Sequence, residues 1–170
     1  GIADEKIDSP PPKVMRYCYR TLDRQWAFVD ERFADRIRPD LVQTLSQKQV
    51  FAATLMSKQL GTGPAVSVAS ELPDMDMFCN RGAKDIIPLY RDKEATLPNI
   101  TPGFLEHLSD VFGQEVLPES IFCYCIGILA GSDYTRRFKT ELTVPGPRIP
   151  ISKDLNFFRE IERLGAYFVY

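Results

Sequence analysis

Residues 14–29 read VMRYCYRTLDRQWAFV, two short apolar runs on either side of a polar segment. Aromatic and β-branched residues favour strands, so residues 14–19 and 25–29 are predicted to be β-strands. The polar residues 21–24 between them are typical of a turn. The stretch therefore predicts a strand-turn-strand unit and makes the N-terminal part of the domain a β-structure.

The residues before this unit differ from it in composition. Residues 1–12 are polar and end in Ser9-Pro10-Pro11-Pro12, which indicates a linker or a disordered arm. We therefore place the folded domain at residues 13–170. A chain of 170 residues is of the length expected for one domain.

Beyond the unit, strand signals come first and helix signals follow. Pro39 is predicted to open a helix over 40–47. Short apolar runs bounded by Gly, Pro and Asn predict strands at 50–56, 65–69 and 85–90. Helices are then predicted at 101–111, 121–130, 132–141 and 155–164, and Gly165 is predicted to end the last one. This order predicts an α+β fold, with an N-terminal antiparallel or mixed β-sheet followed by a C-terminal helical cluster.

The composition bears on the kind of partner. The net charge is −2 and the pI is about 5.5, whereas a DNA-binding domain usually has a basic surface. Basic residues are frequent between Lys13 and Arg38, so a locally basic face on a neutral domain is an alternative to overall positive charge. The chain contains no apolar run of membrane-helix length and no secretory signal pattern, so we expect a cytoplasmic protein without a membrane contact.

Patterns typical of catalysis and metal binding are missing from the sequence. The single histidine, His107, falls on a predicted helix and is expected at the surface. The turn at 61–63 lacks the Lys-Ser/Thr of a phosphate-binding loop, and the prolines at 10–12 lack the aromatic residue of an adenine methyltransferase motif. Asp74 and Asp76 are expected in a solvated loop, and the cysteines at 18, 79, 123 and 125 as free thiols. We therefore expect no catalytic residue, metal or cofactor in this chain.

Several short segments occur in the order and spacing of one known family. Residues 19–26, YRTLDRQW, match the pattern aromatic-Arg-Pro-Phe-Asp-x-Arg-Trp except at Thr21, Leu22 and Gln25. Residues 36–41 read RIRPDL against Arg-Pro-Arg-Pro-Glu-Leu, and residues 87–90 read IPLY against Phe-Pro-Leu-Tyr. The series continues with PNI at 98–100, ESIFCY at 119–124, YTRRF at 134–138 and PRIP at 147–150. From about residue 13 to 165 the chain resembles the C-terminal specificity (target-recognition) domain of Type ISP restriction-modification enzymes, which are single-polypeptide, Type I-like enzymes related to adenine-specific DNA methyltransferases.

The resemblance implies sequence-specific recognition of double-stranded DNA within a larger restriction-modification polypeptide. In that family, other domains of the polypeptide carry adenine-N6 methyltransferase, ATP-dependent translocase and nuclease activities. Those domains use S-adenosylmethionine, ATP and Mg²⁺, so this chain by itself is expected to be no enzyme and to bind none of the three. Its expected partners are double-stranded DNA and the adjoining methyltransferase domain.

Base edges and phosphates are recognised by Arg, Lys, Asn, Gln and Ser side chains on a rigid frame. The candidate DNA-binding residues are such side chains on predicted loops: Arg36, Arg38, Lys48, Ser57, Lys58, Gln59, Asn80, Arg81 and Lys84. Among the residues of the family segments, Trp26, Tyr90 and Phe122 are expected in the core.

Two other functions remain open on the sequence alone. One is a protein-interaction or structural domain without DNA contact, which the acidic pI favours. The other is a small-molecule enzyme, which requires an apolar pocket with converging polar groups of perturbed pKa.

Overall fold

The computed structural model describes residues 10–34, 37–77 and 85–170. In chain order the elements are β1 (Val14–Arg20), β2 (Asp23–Phe28), α1 (Pro39–Val42), β3 (Phe51–Thr54), β4 (Ser67–Ala69), β5 (Leu72–Pro73), β6 (Asp85–Pro88), α2 (Phe104–Phe112), α3 (Pro118–Ala130), α4 (Ser132–Arg137), a 3₁₀ helix (Glu141–Thr143) and α5 (Leu155–Val169). Strands occupy the N-terminal half and helices most of the C-terminal half, so the predicted α+β fold is confirmed. Of the proposed arm at 1–12, residues 1–9 lie outside the described residues.

The strand-turn-strand unit lies in a sheet with the order β2–β1–β5, which we call sheet A. β1 and β2 are antiparallel, with Val14 opposite Phe28 and Arg16 opposite Trp26. The connection between them is the pair Thr21 and Leu22, and Leu22 has a φ of 68°. β5 pairs with β1 in parallel, so sheet A is mixed.

β3 is the central strand of a second sheet, sheet B, with the order β4–β3–β6. Successive side chains of a strand point to opposite faces. On one face Phe51 and Ala53 pack in a cluster with Cys18 of β1. On the other face Ala52 packs in a cluster with Ile126 of α3. Sheet B is therefore the middle layer, with sheet A and α1 on one side and the helices on the other.

α3 and α5 pack with their backbones in close contact. A Cβ atom on Gly165 would overlap the carbonyl oxygen of Cys123, and a Cβ atom on Gly127 would lie 2.5 Å from the carbonyl oxygen of Ile161. Beside this contact the rings of Tyr124 and Phe158 stack with their centroids 4.6 Å apart. The two glycines therefore allow the aromatic residues of the two helices to meet.

Some predicted helix ends were wrong. Gly165 does not end α5, which continues to Val169, because Gly165 serves the contact with α3 instead of a C-cap. α1 ends at Val42 and not at 47, because the N–H groups of Thr44 and Leu45 bond to carbonyls three residues earlier, at 3.0 and 3.3 Å, and the α-helical pattern does not continue. α4 ends at Arg137, and the 3₁₀ helix is a separate turn.

The environment of Trp26 was also predicted wrongly, since its side chain is 68% exposed. It lies on the edge strand of sheet A, on a face that no described element covers. Tyr90 is buried as predicted, and Phe122 is half-buried against the cluster between sheet B and α3.

We predict that Gly165→Ala destabilises the domain strongly, because the added methyl group would overlap the α3 backbone. Overpacking of a tight core costs about 1–3 kcal/mol or more, and here the obstacle is main chain that has no other rotamer. Gly61→Ala is the matched control, since a Cβ atom at Gly61 would meet nothing within 4 Å. Thermal or urea unfolding of both variants measures the effect. Equal stability of the two variants would contradict the close helix contact.

Candidate nucleic-acid interface

The family segments contact one another across the layers. The Tyr90 hydroxyl at the end of the IPLY segment donates to the Glu119 carboxylate at the start of α3. Asn99 of the PNI segment donates from Nδ2 to the Pro88 carbonyl, 3.1 Å away. The backbone of Tyr90 is held by the buried Gln49 side chain, whose Oε1 accepts from the Tyr90 N–H at 3.1 Å and whose Nε2 donates to the Tyr90 carbonyl at 2.7 Å. These residues fix the scaffold.

The PRIP segment at 147–150 is held by two tyrosine hydroxyls. The Tyr134 hydroxyl donates to the Arg148 carbonyl at 2.9 Å and accepts from the Arg148 N–H at 3.0 Å. The Tyr124 hydroxyl donates to the Pro150 carbonyl at 2.8 Å and accepts from the Ser152 N–H at 3.2 Å. Burial raises the pKa of both hydroxyls, so both stay protonated near neutral pH and keep these donors.

Arg148 therefore combines a fixed backbone with an exposed side chain. Both of its backbone hydrogen-bonding groups are bonded to Tyr134, and prolines at 147 and 150 restrict the chain on either side. Within the described part of the chain, its guanidinium has no hydrogen bond and no ion pair. Binding of an external group by this arginine would therefore cost little backbone freedom, and the loss would be confined to the rotamers of its side chain.

The loop that follows β3 lies next to the PRIP segment. Its Met56 N–H donates to the Asp85 carboxylate at 2.8 Å, and Gln59 donates from Nε2 to the Thr143 carbonyl at 2.9 Å. Gly146, with a φ of 90°, approaches the Met56 carbonyl oxygen so closely that its Cβ would lie 3.4 Å away. Lys58 is exposed at the tip of this loop. One end of sheet B thus carries Lys58 and the segment that leads to Arg148, and we call it the basic edge.

The turn between α4 and the PRIP segment adds further cations to the basic edge. Arg137 and Lys139 are exposed there, and Glu141 is an exposed acid in the same turn. Arg136 is bound to Asp133 at 2.6 Å, in an ion pair whose two side chains are about 80% exposed. Such a pair contributes little to stability. The edge therefore presents more basic than acidic side chains on a protein whose net charge is negative.

The structure places the DNA-binding residues that were proposed from the sequence in different parts of the domain. Ser57, Lys58 and Gln59 lie together on the basic edge. Lys48 precedes β3 and so lies at its opposite end, because β3 begins at Phe51 and the 57–59 loop follows its last residue. Arg38 is bound at the start of α1 to Asp40, with Nη2 3.1 Å from Oδ2, and this hydrogen bond lowers the pKa of Asp40. Arg36, Asn80, Arg81 and Lys84 lie outside the described residues.

Sequence reasoning missed Arg148, Arg137 and Lys139 as candidates. The PRIP segment contained a partial signal, because its two prolines restrict the backbone on either side of Arg148 before any partner binds. The hydroxyl bonds from Tyr134 gave no such signal, since they join residues on separate elements.

Asp74 was expected in a solvated loop and is instead bound on three sides. Its carboxylate accepts from the Tyr17 hydroxyl, from Arg20 Nη1 at 2.9 Å and from the Asp76 N–H at 2.7 Å. The carboxylate thus joins β1 to the turn after β5. His107 is exposed as predicted, and Cys18, Cys123 and Cys125 are free thiols, whereas Cys79 lies outside the described residues.

A cavity of about 350 Å³ lies between sheet B and the helices. Apolar side chains form most of its wall, and among the described residues no charged side chain lines it. Cys125 is part of the wall, and burial raises its pKa to about 12, which disfavours the reactive thiolate. The polar residues of the described wall are Thr54, Asn99 and Thr101, and none of them is a charged group of the kind that a small-molecule enzyme usually brings together.

The fold and this site together define the class of the protein, which is an α+β domain with a basic edge. A family model described as the Type ISP C-terminal specificity domain matches residues 2–169, so the chain belongs to that family. A comparison with curated proteins gave no match. In the described residues no helix is long and apolar enough to cross a membrane.

Two solved structures show the same fold. One, "cryoEM structure DrdV-DNA complex", has a TM-score of 0.71 and 21% identity over 91% of this chain and 15% of that chain. The other is a nuclease-deletion mutant of the Type ISP restriction-modification enzyme LlaGI in complex with a DNA substrate mimic, with a TM-score of 0.63 and 20% identity over 97% of this chain and 12% of that chain. The chain thus spans less than a sixth of either protein.

We predict that Tyr134→Phe lowers the free energy of unfolding by about 1–2 kcal/mol, because it removes both hydrogen bonds to Arg148. Tyr167→Phe is the control, since Tyr167 is 73% exposed and substitutions at such surface positions usually stay within about 0.5 kcal/mol. Urea unfolding of the two variants provides the measurement. A Tyr134→Phe variant as stable as Tyr167→Phe would show that the hydroxyl does not hold the segment.

Proposed function

We propose that this chain is the sequence-specific, double-stranded DNA recognition domain of a larger restriction-modification polypeptide, and that the basic edge contacts the duplex. The observation that carries the proposal is Arg148, an exposed arginine whose backbone is fixed by Tyr134 and by flanking prolines. Arginine is the residue that most often reads guanine in the major groove, through two parallel hydrogen bonds. The description of the family as a specificity domain supports the proposal, as do the DNA complexes of DrdV and LlaGI.

Charge distribution is consistent with a local DNA contact. A protein with a net charge of −2 has no general attraction for phosphates, so binding depends on a cluster of basic residues. On the basic edge Lys58 and Lys139 are exposed, as is Arg148, and Ser57 and Gln59 add hydrogen-bonding groups. In this proposal the lysines contact phosphates and Arg148 contacts a base edge. Arg36, Asn80, Arg81 and Lys84 remain candidates of the same kind.

The remaining activities of the parent belong to other domains of the same polypeptide. We propose that these are an adenine-N6 methyltransferase adjoining this domain, an ATP-dependent translocase and a nuclease. They would use S-adenosylmethionine, ATP and Mg²⁺, and the protein would act in the cytoplasm. The support is membership of the Type ISP specificity family and the low share of the DrdV and LlaGI chains that this domain covers. The domain contributes site choice and no catalytic residue.

The main alternative is a protein-interaction domain without DNA contact. The low pI favours it, and so does the exposed apolar surface of sheet A. The two functions differ in their dependence on salt and on the basic edge. Contacts to phosphates release counterions, so DNA binding weakens steeply as the salt concentration rises.

We predict that Arg148→Ala in the intact polypeptide weakens binding to its own site by about 1–3 kcal/mol and relaxes the preference at one base pair. Lys58→Ala is expected to weaken binding to all sequences alike and to reduce the salt slope by about 1, because it removes a phosphate contact. Titration of duplexes that carry the site or single-base changes, at several salt concentrations, measures both effects.

Lys93→Ala is the matched control for these variants. Lys93 is exposed like Lys58 but follows β6, whose last residue pairs with the first residue of β3, so it lies at the opposite end of sheet B. We expect normal binding by this variant. Lys48→Ala, at the same opposite end, tests whether that end also contacts DNA. If Arg148→Ala and Lys58→Ala bind all duplexes like Lys93→Ala, the proposed edge is not the DNA interface.

A further inference from the structure

β2 contributes no buried side chain to the hydrophobic core. None of its residues is buried, although it contains a tryptophan and a phenylalanine. Trp26 is 68% exposed and Phe28 50% exposed, and the facing Val14 on β1 is 49% exposed. A two-stranded ribbon is marginally stable in water unless a third element covers one face. β5 pairs with β1 only at Tyr17 and Cys18, so it does not cover this surface.

The exposed apolar residues form one continuous surface. Because Val14 is opposite Phe28 and Arg16 is opposite Trp26, these four side chains share one face of the ribbon. The Arg16 guanidinium lies 5.3 Å from the centre of the Trp26 ring, and the Phe33 ring lies 5.5 Å from the Phe28 ring. We call this surface, made of Val14, Arg16, Trp26, Phe28 and Phe33, the ribbon face.

The composition of the ribbon face is that of a protein interface. Trp, Phe and Arg are enriched at the centres of protein–protein interfaces, and Trp and Arg supply much of the binding energy there. Its charge does not suit a DNA backbone. The neighbouring cations Arg20 and Arg24 are already bound to Asp74 at 2.9 Å and to Glu71 at 3.0 Å. On the face itself the Arg16 guanidinium lies over the Trp26 ring, and the Arg32 guanidinium, which is bound to Asp30, lies 5.4 Å from the centre of the Phe33 ring.

We propose that the ribbon face docks onto another domain of the same polypeptide. This inference rests on the proposed function, in which the chain is one domain of a longer protein. The DrdV and LlaGI chains are long enough to supply the partner, since this domain covers only 15% and 12% of them. A domain in the same polypeptide is present at high effective concentration, so a modest apolar surface suffices for stable docking.

The expected partner surface is an apolar hollow with a carboxylate at its border. The hollow would receive the Trp26 and Phe28 rings, which cover the largest apolar areas of the face. The carboxylate would pair with Arg16, whose guanidinium remains accessible on one side of the indole.

Site-specific photo-crosslinking in the intact polypeptide tests the proposal. p-Benzoylphenylalanine replaces Trp26, and in a matched variant it replaces Gln25, which is exposed on the same strand but points to the opposite face. Irradiation without DNA and peptide mapping then identify the contacted residues. We expect cross-links from position 26 to a peptide outside residues 1–170, and several-fold less product from position 25.

Other outcomes would overturn the docking proposal. They are cross-links from position 26 only to added DNA, to a second copy or to residues of this chain, equal yields from both positions, or no product at position 26. These outcomes are independent of the basic edge. Normal DNA binding by the Lys58→Ala and Arg148→Ala variants would refute the proposed DNA surface and leave a cross-link to another domain intact. If the Lys58→Ala and Arg148→Ala variants bind DNA poorly but that cross-link does not form, only the docking is refuted.

Discussion

The close contact of α3 with α5 is the constraint on which the rest of the structure depends. It requires glycine at 127 and 165, since a side chain at either position would meet the opposite backbone. The contact brings Tyr124 of α3 and Phe158 of α5 together and leaves the other side of α3 free to pack on sheet B. α3 is thus held from both sides, and its position determines where the chain after α4 can lie.

The proposed recognition surface follows from this arrangement step by step. Tyr124 and Tyr134, on α3 and α4, hold the backbone of the PRIP segment by their hydroxyls. Gln59 bonds the loop after β3 to the turn that precedes the PRIP segment. The family segments therefore act mainly as scaffold, and the residues proposed to touch DNA, Lys58 and Arg148, lie at the border of that scaffold. In sheet A, by contrast, the ribbon formed by β1 and β2 presents apolar residues that the domain does not bury.

The sequence was sufficient for the order of elements but not for their surroundings. The apolar runs in residues 14–29 and after them predicted the described strands except β5, because these patterns are local. The exposure of Trp26 depends on which strand lies at the edge of sheet A. The role of Gly165 depends on the helix that packs against it. Both are tertiary properties, so local rules gave a buried tryptophan and a helix end. Lys58 was among the candidates because loop lysines are recognisable in a sequence, whereas the fixed backbone of Arg148 depends on a tyrosine from another helix.

The central claim is that this domain chooses the DNA sequence bound by the polypeptide that carries it. Exchange of residues 13–170 for the corresponding domain of a relative with a different site tests it most directly. Duplexes selected from a random pool by the parent and by the exchanged protein are sequenced and compared. We expect the selected sequence to change to that of the relative. Selection of the parent's original sequence by the exchanged protein would contradict it.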